Sequence, residues 1–260
     1  MTTDKSLFEV RLAETTSDIL AAQKLRYSVF VDELGANVPP DQRILEIETD
    51  CYDNYCDHLL LIDKNKSSTL TDGEVVGVYR LMDSQRASDG IGFYSAREYD
   101  LSLLQMSGKN CLEIGRSCIA KQYRTSFGLF IMWDALIKYV AEKGIELLFG
   151  VASFPGIDPA RFAKGLSILH HKFRAPENVR INALPHSFLN MDLIPEEEFS
   201  DLEAMNQIPS LIKSYVKLGG GVGNGAFIDY AFNTIDVGLI MDTKLIIDRY
   251  KKYTNGTSHI

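Results

Sequence analysis

The stretch from Cys111 to Phe173 constrains the fold more than any other. "CLEIGRSCI" reads as a buried strand, "SFGLFIMWDALIKYVAEKG" as a long apolar helix stopped by Gly144, and "IELLFGVAS" as a second buried strand. "DPARFAKGLSILHHKF" opens with Asp158 and Pro159, an N-cap and first-turn pair suited to a further helix. Ahead of this strand–helix–strand–helix run, "DHLLLID" and "EVVGVYRLM" flank polar turn material and read as an antiparallel pair. The combination predicts an α/β fold, with a mixed, mostly antiparallel central sheet flanked by helices.

The other segments are read in the same way. Ser17 is the expected N-cap of "DILAAQKLRYSVFVDEL" and Gly35 its stop, which puts Arg26 and Phe30 on one helical face. "NVPPDQRILEIETDCYDNYC" has no period and reads as a long loop. "FYSAREYDLSLLQM" reads as a loop and a short helix, "PSLIKSYVKLG" as a helix, and "AFIDYAF" and "DVGLIMD" as strands. "GGGVGNG" follows a helix and precedes a strand, the reverse of a phosphate loop, and reads as a helix cap plus a turn at Asn224-Gly225.

Composition excludes several classes. The net charge of -8 argues against nucleic-acid binding. No run of about 18 apolar residues is present, so no spanning helix is expected. Cys51, Cys56, Cys111 and Cys118 lack zinc or redox spacing and read as reduced thiols of a cytoplasmic protein. Adjacent His170 and His171 point about 100° apart on a helix, so no metal is expected there. Charge is uneven: residues 1–60 hold five Lys/Arg against twelve Asp/Glu, and residues 116–174 nine against four. Asp192 to Glu203 is acidic only.

Glu113 and Arg116 then stand out, because ionised groups inside a buried strand cost several kcal/mol unless paired. Gly115 lies between them, and glycine in a strand often marks a bulge. A bulge there would put both charges on one face and free backbone N–H groups for a ligand. A buried ion pair that only fixes the sheet is the competing reading. In the next loop, N–H groups from Arg124 to Gly128 open a helix and suit an anion.

Strand, bulge, anion loop and helix in this order resemble the GNAT acyltransferase superfamily. "LRYSVFVDELGA", "VVGVYRL", "GFYSAREYDL", "LEIGRSCI", "ASFPGIDP", "LSILHHKFRAP" and "LIKSYVKLGGGVGNGAFIDYAFNTIDV" resemble the L-ornithine Nα-acyltransferases that form ornithine lipids. A more distant resemblance is to acyl-homoserine lactone synthases, whose Arg-x3-Phe, Asp-x2-Asp, strand Arg and Glu-x2-Arg patterns fall on Arg26 and Phe30, Asp50 and Asp53, Arg80, and Glu113 with Arg116. Those synthases carry a loop tryptophan that this chain lacks, its one Trp being Trp133. The usual pyrophosphate loop is also imperfect, since in "RTSFGLF" only Gly128 matches; this fits a single-phosphate donor better than coenzyme A.

The resemblance implies a single GNAT-like domain over 1–260, with a C-terminal extension from about residue 176. It implies transfer of a 3-hydroxyacyl chain from acyl carrier protein to the α-amine of L-ornithine, giving lyso-ornithine lipid. No cofactor is expected beyond the donor's own phosphopantetheine arm, which would lie between "LEIGRSCI" and "LLFGVAS". Glu113 is the expected general base, with Arg116 beside it. Arg80 or Arg26 would bind the acceptor's carboxylate, Asp50 and Asp53 its side-chain ammonium, and Phe30 would line that site. Ser117, Cys118, Ile119, Arg124, Thr125, Ser126, Phe127 and Gly128 would hold the donor. Lys121, Arg124, Lys138, Lys143, Lys164 and Lys172 would meet an acidic carrier. The lipid product implies transient membrane contact at the inner face of the cytoplasmic membrane, with "GIGFYSAREYDLSLLQM" exposing Phe93 and Tyr94 there or, alternatively, folded over the core. The competing activities are acylation of glycine, lysine or glutamine, lactone synthesis, and a carrier- or lipid-binding module without catalysis.

Overall fold

The computed structural model describes residues 7–124 and 126–248. In chain order the elements begin with β1 (Phe8–Leu12), α1 (Thr16–Arg26), α2 (Pro40–Leu45), β2 (Asp57–Asp63), β3 (Glu74–Asp83) and α3 (Ser84–Asp89). They continue with β4 (Tyr99–Asp100), α4 (Ser102–Met106), β5 (Cys111–Ile119), α5 (Ser126–Glu142), β6 (Leu147–Pro155) and α6 (Ala163–Lys172). The last are β7 (Asn182–Ala183), β8 (Phe188–Leu189), α7 (Asp201–Gln207), α8 (Ser210–Lys217), β9 (Gly221–Asp229) and β10 (Thr234–Asp242). The chain forms two compact units, Met1–Gly92 with Ile114–Lys143, and Phe93–Glu113 with Gly144–Ile260. Residue 176 lies inside the second unit, and β5 contributes to both.

In the first unit the strand order is β1-β2-β3-β5, with both pairs of the β1-β2-β3 meander antiparallel. Thr15, not Ser17, caps α1: its side chain accepts from the Asp18 N–H, and Asp18 reaches back to the cap in a capping box. Asp18 also binds Arg11 of β1 at 2.7 and 3.0 Å, which ties the helix start to the sheet. Ala21, Ala22, Leu25 and Val29 pack on Leu60, Ile62, Val75 and Val78 of the meander. Each fully buried Leu, Ile or Val of this layer contributes about 1.5–3 kcal/mol. After Arg26 the helix widens into a π-helix, Tyr27–Glu33, and ends before Gly35 at φ +78°. The widening separates the expected pair: Arg26 is fully buried, whereas Phe30 is half-buried against the apolar layer. The expected loop after Gly35 holds the short helix α2, started by Pro40 at its first position.

In the second unit the order is β5-β6-β10-β9-β7-β4, with β8 paired to β9. The β5–β6 pair is parallel, Cys111 to Glu113 against Leu147 to Phe149, and β6–β10 and β10–β9 are antiparallel. The glycine-rich run corrects the sequence reading, because Gly221–Gly225 is strand and not turn. The glycines are there for close approach. A Cβ on Gly221 would lie 2.6 Å from Ala175, one on Gly223 2.7 Å from the Ile181 carbonyl, and one on Gly225 2.2 Å from the Phe188 ring. The β9–β10 register shifts between Val237 and Leu239, and the buried Tyr99 hydroxyl fills the gap. It accepts from the Gly238 N–H at 2.9 Å and lies 2.9 Å from the Asp236 carbonyl, to which it donates. Among the described residues no helix is long and apolar enough to cross a membrane.

Candidate active site

Arg26, Arg80 and Arg116 meet Glu48, Asp50 and Asp53 in one ion network of the first unit. The loop that supplies the acids is held by local bonds. Gln42 of α2 clamps Thr49 through both its backbone groups, at 2.8 and 3.0 Å, and Asp50 accepts from the Tyr52 N–H at 2.9 Å. Asp53 accepts both Arg26 Nη groups at 2.8 Å, Arg80 Nη1 at 2.9 Å, Gln23 Nε2 at 2.9 Å and the Thr49 hydroxyl at 3.0 Å. Arg26 Nε lies 2.6 Å from Glu48 Oε2 as an ion-pair contact, not an aligned hydrogen bond. Arg116 donates Nε to Glu48 at 3.1 Å and Nη2 to Asp50 at 2.9 Å. Below the network, buried His58 donates Nε2–H to the Asp53 carbonyl at 3.0 Å, and burial lowers its pKa, which keeps it neutral.

This geometry revises several expected roles. Asp50 and Asp53 were expected to take an ammonium, but their oxygens are already engaged by guanidinium groups. Arg26 and Arg80 were expected to take a carboxylate, but their side chains are 0% and 3% exposed. The rim of the network is Arg116 and Asp50, at 10% and 17%. Arg116 also carries the expected backbone irregularity, one residue beyond Gly115: its φ is +49°, a left-handed conformation rare for a side chain of this size. A Cβ built on Gly115 itself would meet nothing within 4 Å. Glu48 was missed by the sequence reading. Its signal was the acid spacing in "EIETDCYD", where four acidic residues recur beside a turn.

Burial opposes ionisation of Asp53, yet the Arg26 bond and charge, with Arg80 and Gln23, hold its carboxyl well below the usual carboxylate range. Its folded-state pKa is therefore lower than the unfolded value. The stability it contributes is present above the unfolded value of about 3.9 and is lost as pH falls toward the folded one. The urea midpoint is expected to stay level between about pH 7 and 5 and to fall below about pH 4, with a shallower acid slope in Asp53→Asn.

In the second unit, Glu113 accepts the Tyr94 N–H at 2.8 Å and the Ser95 N–H at 2.6 Å, one on each oxygen. These are the first residues of a 3-10 turn, Tyr94–Arg97. Both oxygens of Glu113, the residue expected to act as general base, thus anchor this turn. Phe93, expected to be surface-exposed if its segment is a loop, is buried edge-on against Phe149, with ring centres 4.9 Å apart. Tyr94 is half-buried, and exposed Ile91, with Leu103 and Met106 of α4, are the apolar residues this segment presents.

The expected donor residues divide. Ser117, Cys118 and Ile119 end β5. Burial pushes the Cys118 thiol up to about 12, so it stays protonated. Alkylation of the native protein at about pH 8 is expected to label exposed Cys51 and spare Cys118, read by peptide mass spectrometry. Arg124 pairs with Glu33 and donates to the Ile119 carbonyl at 2.7 Å. Gly128 is required by close approach, since a Cβ there would lie 2.5 Å from the Tyr123 carbonyl oxygen. Thr125 and the side chains of Ser126 and Phe127 lie outside the described residues. Of the expected basic surface, Lys172 binds Asp201 and Glu196, and Lys164 binds Glu203, so the acidic segment neutralises α6. Lys121, Arg124, Lys138 and Lys143 are exposed in the first unit, with Arg124 paired to Glu33 and Lys138 to Asp134 at 2.9 Å.

A family model described as an acetyltransferase (GNAT) domain matches residues 25–134. FeeM, an N-acyl amino acid synthase from uncultured soil microbes, shares the fold with a TM-score of 0.51 at 12% identity, over 91% of each chain. The mixed sheet with its flanking helices and the matching domain define a GNAT N-acyltransferase. An L-ornithine N(alpha)-acyltransferase of Rhodobacter capsulatus is 44% identical over 246 residues, 95% of this chain and 94% of that one. Another, of Brucella abortus, is 41% identical over 247 residues, 94% and 88% of the two chains. At this level of identity over nearly the whole length, the chain belongs to the L-ornithine N(alpha)-acyltransferase family.

Proposed function

We propose that this protein moves a 3-hydroxyacyl chain from the phosphopantetheine thioester of acyl carrier protein to the α-amine of L-ornithine. The observation that carries the reading is 38–44% identity, over nearly the full chain, to proteins named L-ornithine N(alpha)-acyltransferase. In the reaction the α-ammonium gives one proton to solvent, the freed amine bonds to the thioester carbonyl carbon, the carbon–sulfur bond breaks, and the second proton of the nitrogen passes to the departing thiolate, which leaves as the carrier thiol. The product is lyso-ornithine lipid. Arg116 is the guanidinium that meets the acceptor's carboxylate, because it stands at the rim of a network whose inner members are sealed. Its left-handed backbone and its two acidic partners hold it in one pose before substrate arrives. The carrier docks on exposed Lys121, Arg124, Lys138 and Lys143, a local basic set on an acidic chain. Lipid product then leaves to a cytoplasmic membrane surface that the protein touches without spanning.

Expression in a bacterium that makes no ornithine lipid tests the reading. Lipid extracts are expected to gain an N-(3-hydroxyacyl)ornithine by mass spectrometry, and Arg116→Ala is expected to lose most of it. Extracts unchanged by a well-expressed, folded protein would overturn it.

A further inference from the structure

Two of the cations on which the carrier docks, Lys121 and Arg124, sit on the short segment between β5 and α5. They are held in different ways. Arg124 is fixed by its own side chain, which pairs with Glu33 and donates Nε–H to the Ile119 carbonyl at 2.7 Å. The Lys121 ammonium is exposed and makes no hydrogen bond or ion pair with the described residues. A lysine charge rides on a flexible four-carbon stem, so it goes where its backbone goes.

Tyr123 sets that backbone. Lys121–Tyr123 is one 3-10 turn, closed by the Tyr123 N–H on the Ala120 carbonyl at 2.8 Å. The Tyr123 hydroxyl leaves the turn and donates to Asp63 Oδ2 at 2.6 Å. Asp63 ends β2 and is 6% exposed. A carboxylate buried there is costly unless its oxygens are bonded. Both are: Oδ2 takes the tyrosine, and Oδ1 takes the backbone and amide N–H groups of Asn65 at 2.9 and 3.2 Å. Phe8, opposite Asp63 in the β1–β2 register, meets the Tyr123 ring edge-on, with ring centres 6.0 Å apart. Two neighbouring strands thus grip one tyrosine. Its other side is equally tight, because the Tyr123 carbonyl oxygen would lie 2.5 Å from a Cβ on Gly128 of α5. The turn is clamped between the sheet and the helix. Surface turns otherwise move freely. A charge-assisted bond to a buried carboxylate holds this one in a single pose, which is what a preorganised docking residue needs.

We infer that Tyr123, through its bond to Asp63, is a positioning residue that holds Lys121 where the acidic donor protein docks, a role that rests on the proposed transfer from acyl carrier protein and adds what orients the docking surface. Tyr123 touches neither the donor's thioester nor the acceptor in this role. Without its hydroxyl the turn loosens, and the Lys121 charge has to be ordered at each encounter. That weakens docking and leaves the chemical step alone.

The test is steady-state kinetics of the purified full-length protein, with 3-hydroxyacyl carrier protein varied at saturating L-ornithine. Tyr123→Phe removes one oxygen and keeps the ring against Phe8. It is expected to raise the KM for the carrier by about threefold to tenfold, with kcat and the KM for ornithine within about twofold of wild type. Lys121→Ala is expected to raise the carrier KM by a similar factor. In that background Tyr123→Phe is expected to add less than about twofold, because the tyrosine has lost the group it positions. A tyrosine that only stabilised the fold would lower the amount of active protein, and with it the apparent kcat. Should Tyr123→Phe fail to fold, Asp63→Asn decides by the same comparison, since it weakens the charge-assisted bond without emptying the site. A carrier KM unchanged in the folded variant, or full additivity with Lys121→Ala, overturns the clamp and leaves the acyl-transfer reading standing. No acylation of any amino acid by the wild type overturns both.

Discussion

Arg26→Met is expected to cost about 3–5 kcal/mol of folding free energy, the largest loss of any single change in the first unit. The guanidinium is sealed from solvent and bonded to Asp53 through two nitrogens, to the Glu48 carbonyl at 2.5 Å, and paired with the Glu48 carboxylate. Removing it leaves two carboxylates buried with fewer partners, and an uncompensated buried charge is the expensive outcome. Typical domain stability is about 5–15 kcal/mol, so the variant is expected to show a large drop in urea midpoint or poor recovery as folded protein. Arg26→Lys is expected to fall nearly as far, because an ammonium cannot reproduce the forked contact with Asp53. Arg26→Met combined with Asp53→Asn is expected to be less damaged than the two separate losses added together, since the pair shares its penalty. A urea midpoint for Arg26→Met within about 1 kcal/mol of wild type would contradict the description of this network.

Glu113→Ala is expected to lower the Tm by about 6 °C or more, from a loss of about 3 kcal/mol spread over a chain of this size. Its two oxygens satisfy the N–H groups of Tyr94 and Ser95, and neither donor has a substitute in the truncated side chain. Glu113→Gln keeps one acceptor and turns an amide N–H₂ toward the other donor, so it is expected to fall between Ala and wild type. A general base behaves differently. Its removal costs about 10²–10⁴ in rate and leaves stability nearly intact. Thermal unfolding of both variants beside their kcat values separates the two roles: a stable, inactive Glu113→Gln would restore Glu113 as the base, and an unstable one with residual turnover supports the anchor.

The arrangement of strands and helices was legible because each rests on local periodicity. β2, β3, β5, α5, β6 and α6 each show apolar runs bounded by turn residues, and they stand where the pattern put them. The errors share a cause, which is contact with distant chain. The Gly221–Gly225 run looks like punctuation, and it is strand because Ala175, Ile181 and Phe188 crowd it from elsewhere. Ser17 and Thr15 are equal candidates by composition, and Asp18 at the third helical position chose Thr15. The charged residues named from the sequence do cluster, but their pairing was illegible. The resemblance to the lactone synthases groups Asp50, Asp53, Arg26, Arg80 and Arg116. It does not show that the arginines take up the aspartates and leave Arg116 at the rim.

The most direct test of the central claim is mass spectrometry of products from purified protein, 3-hydroxyacyl carrier protein and an equimolar mixture of amino acids. The account requires N-(3-hydroxyacyl)ornithine to dominate, with the acyl group on the α-nitrogen. Acylation confined to glycine, glutamine or another amino acid without a side-chain ammonium would contradict it.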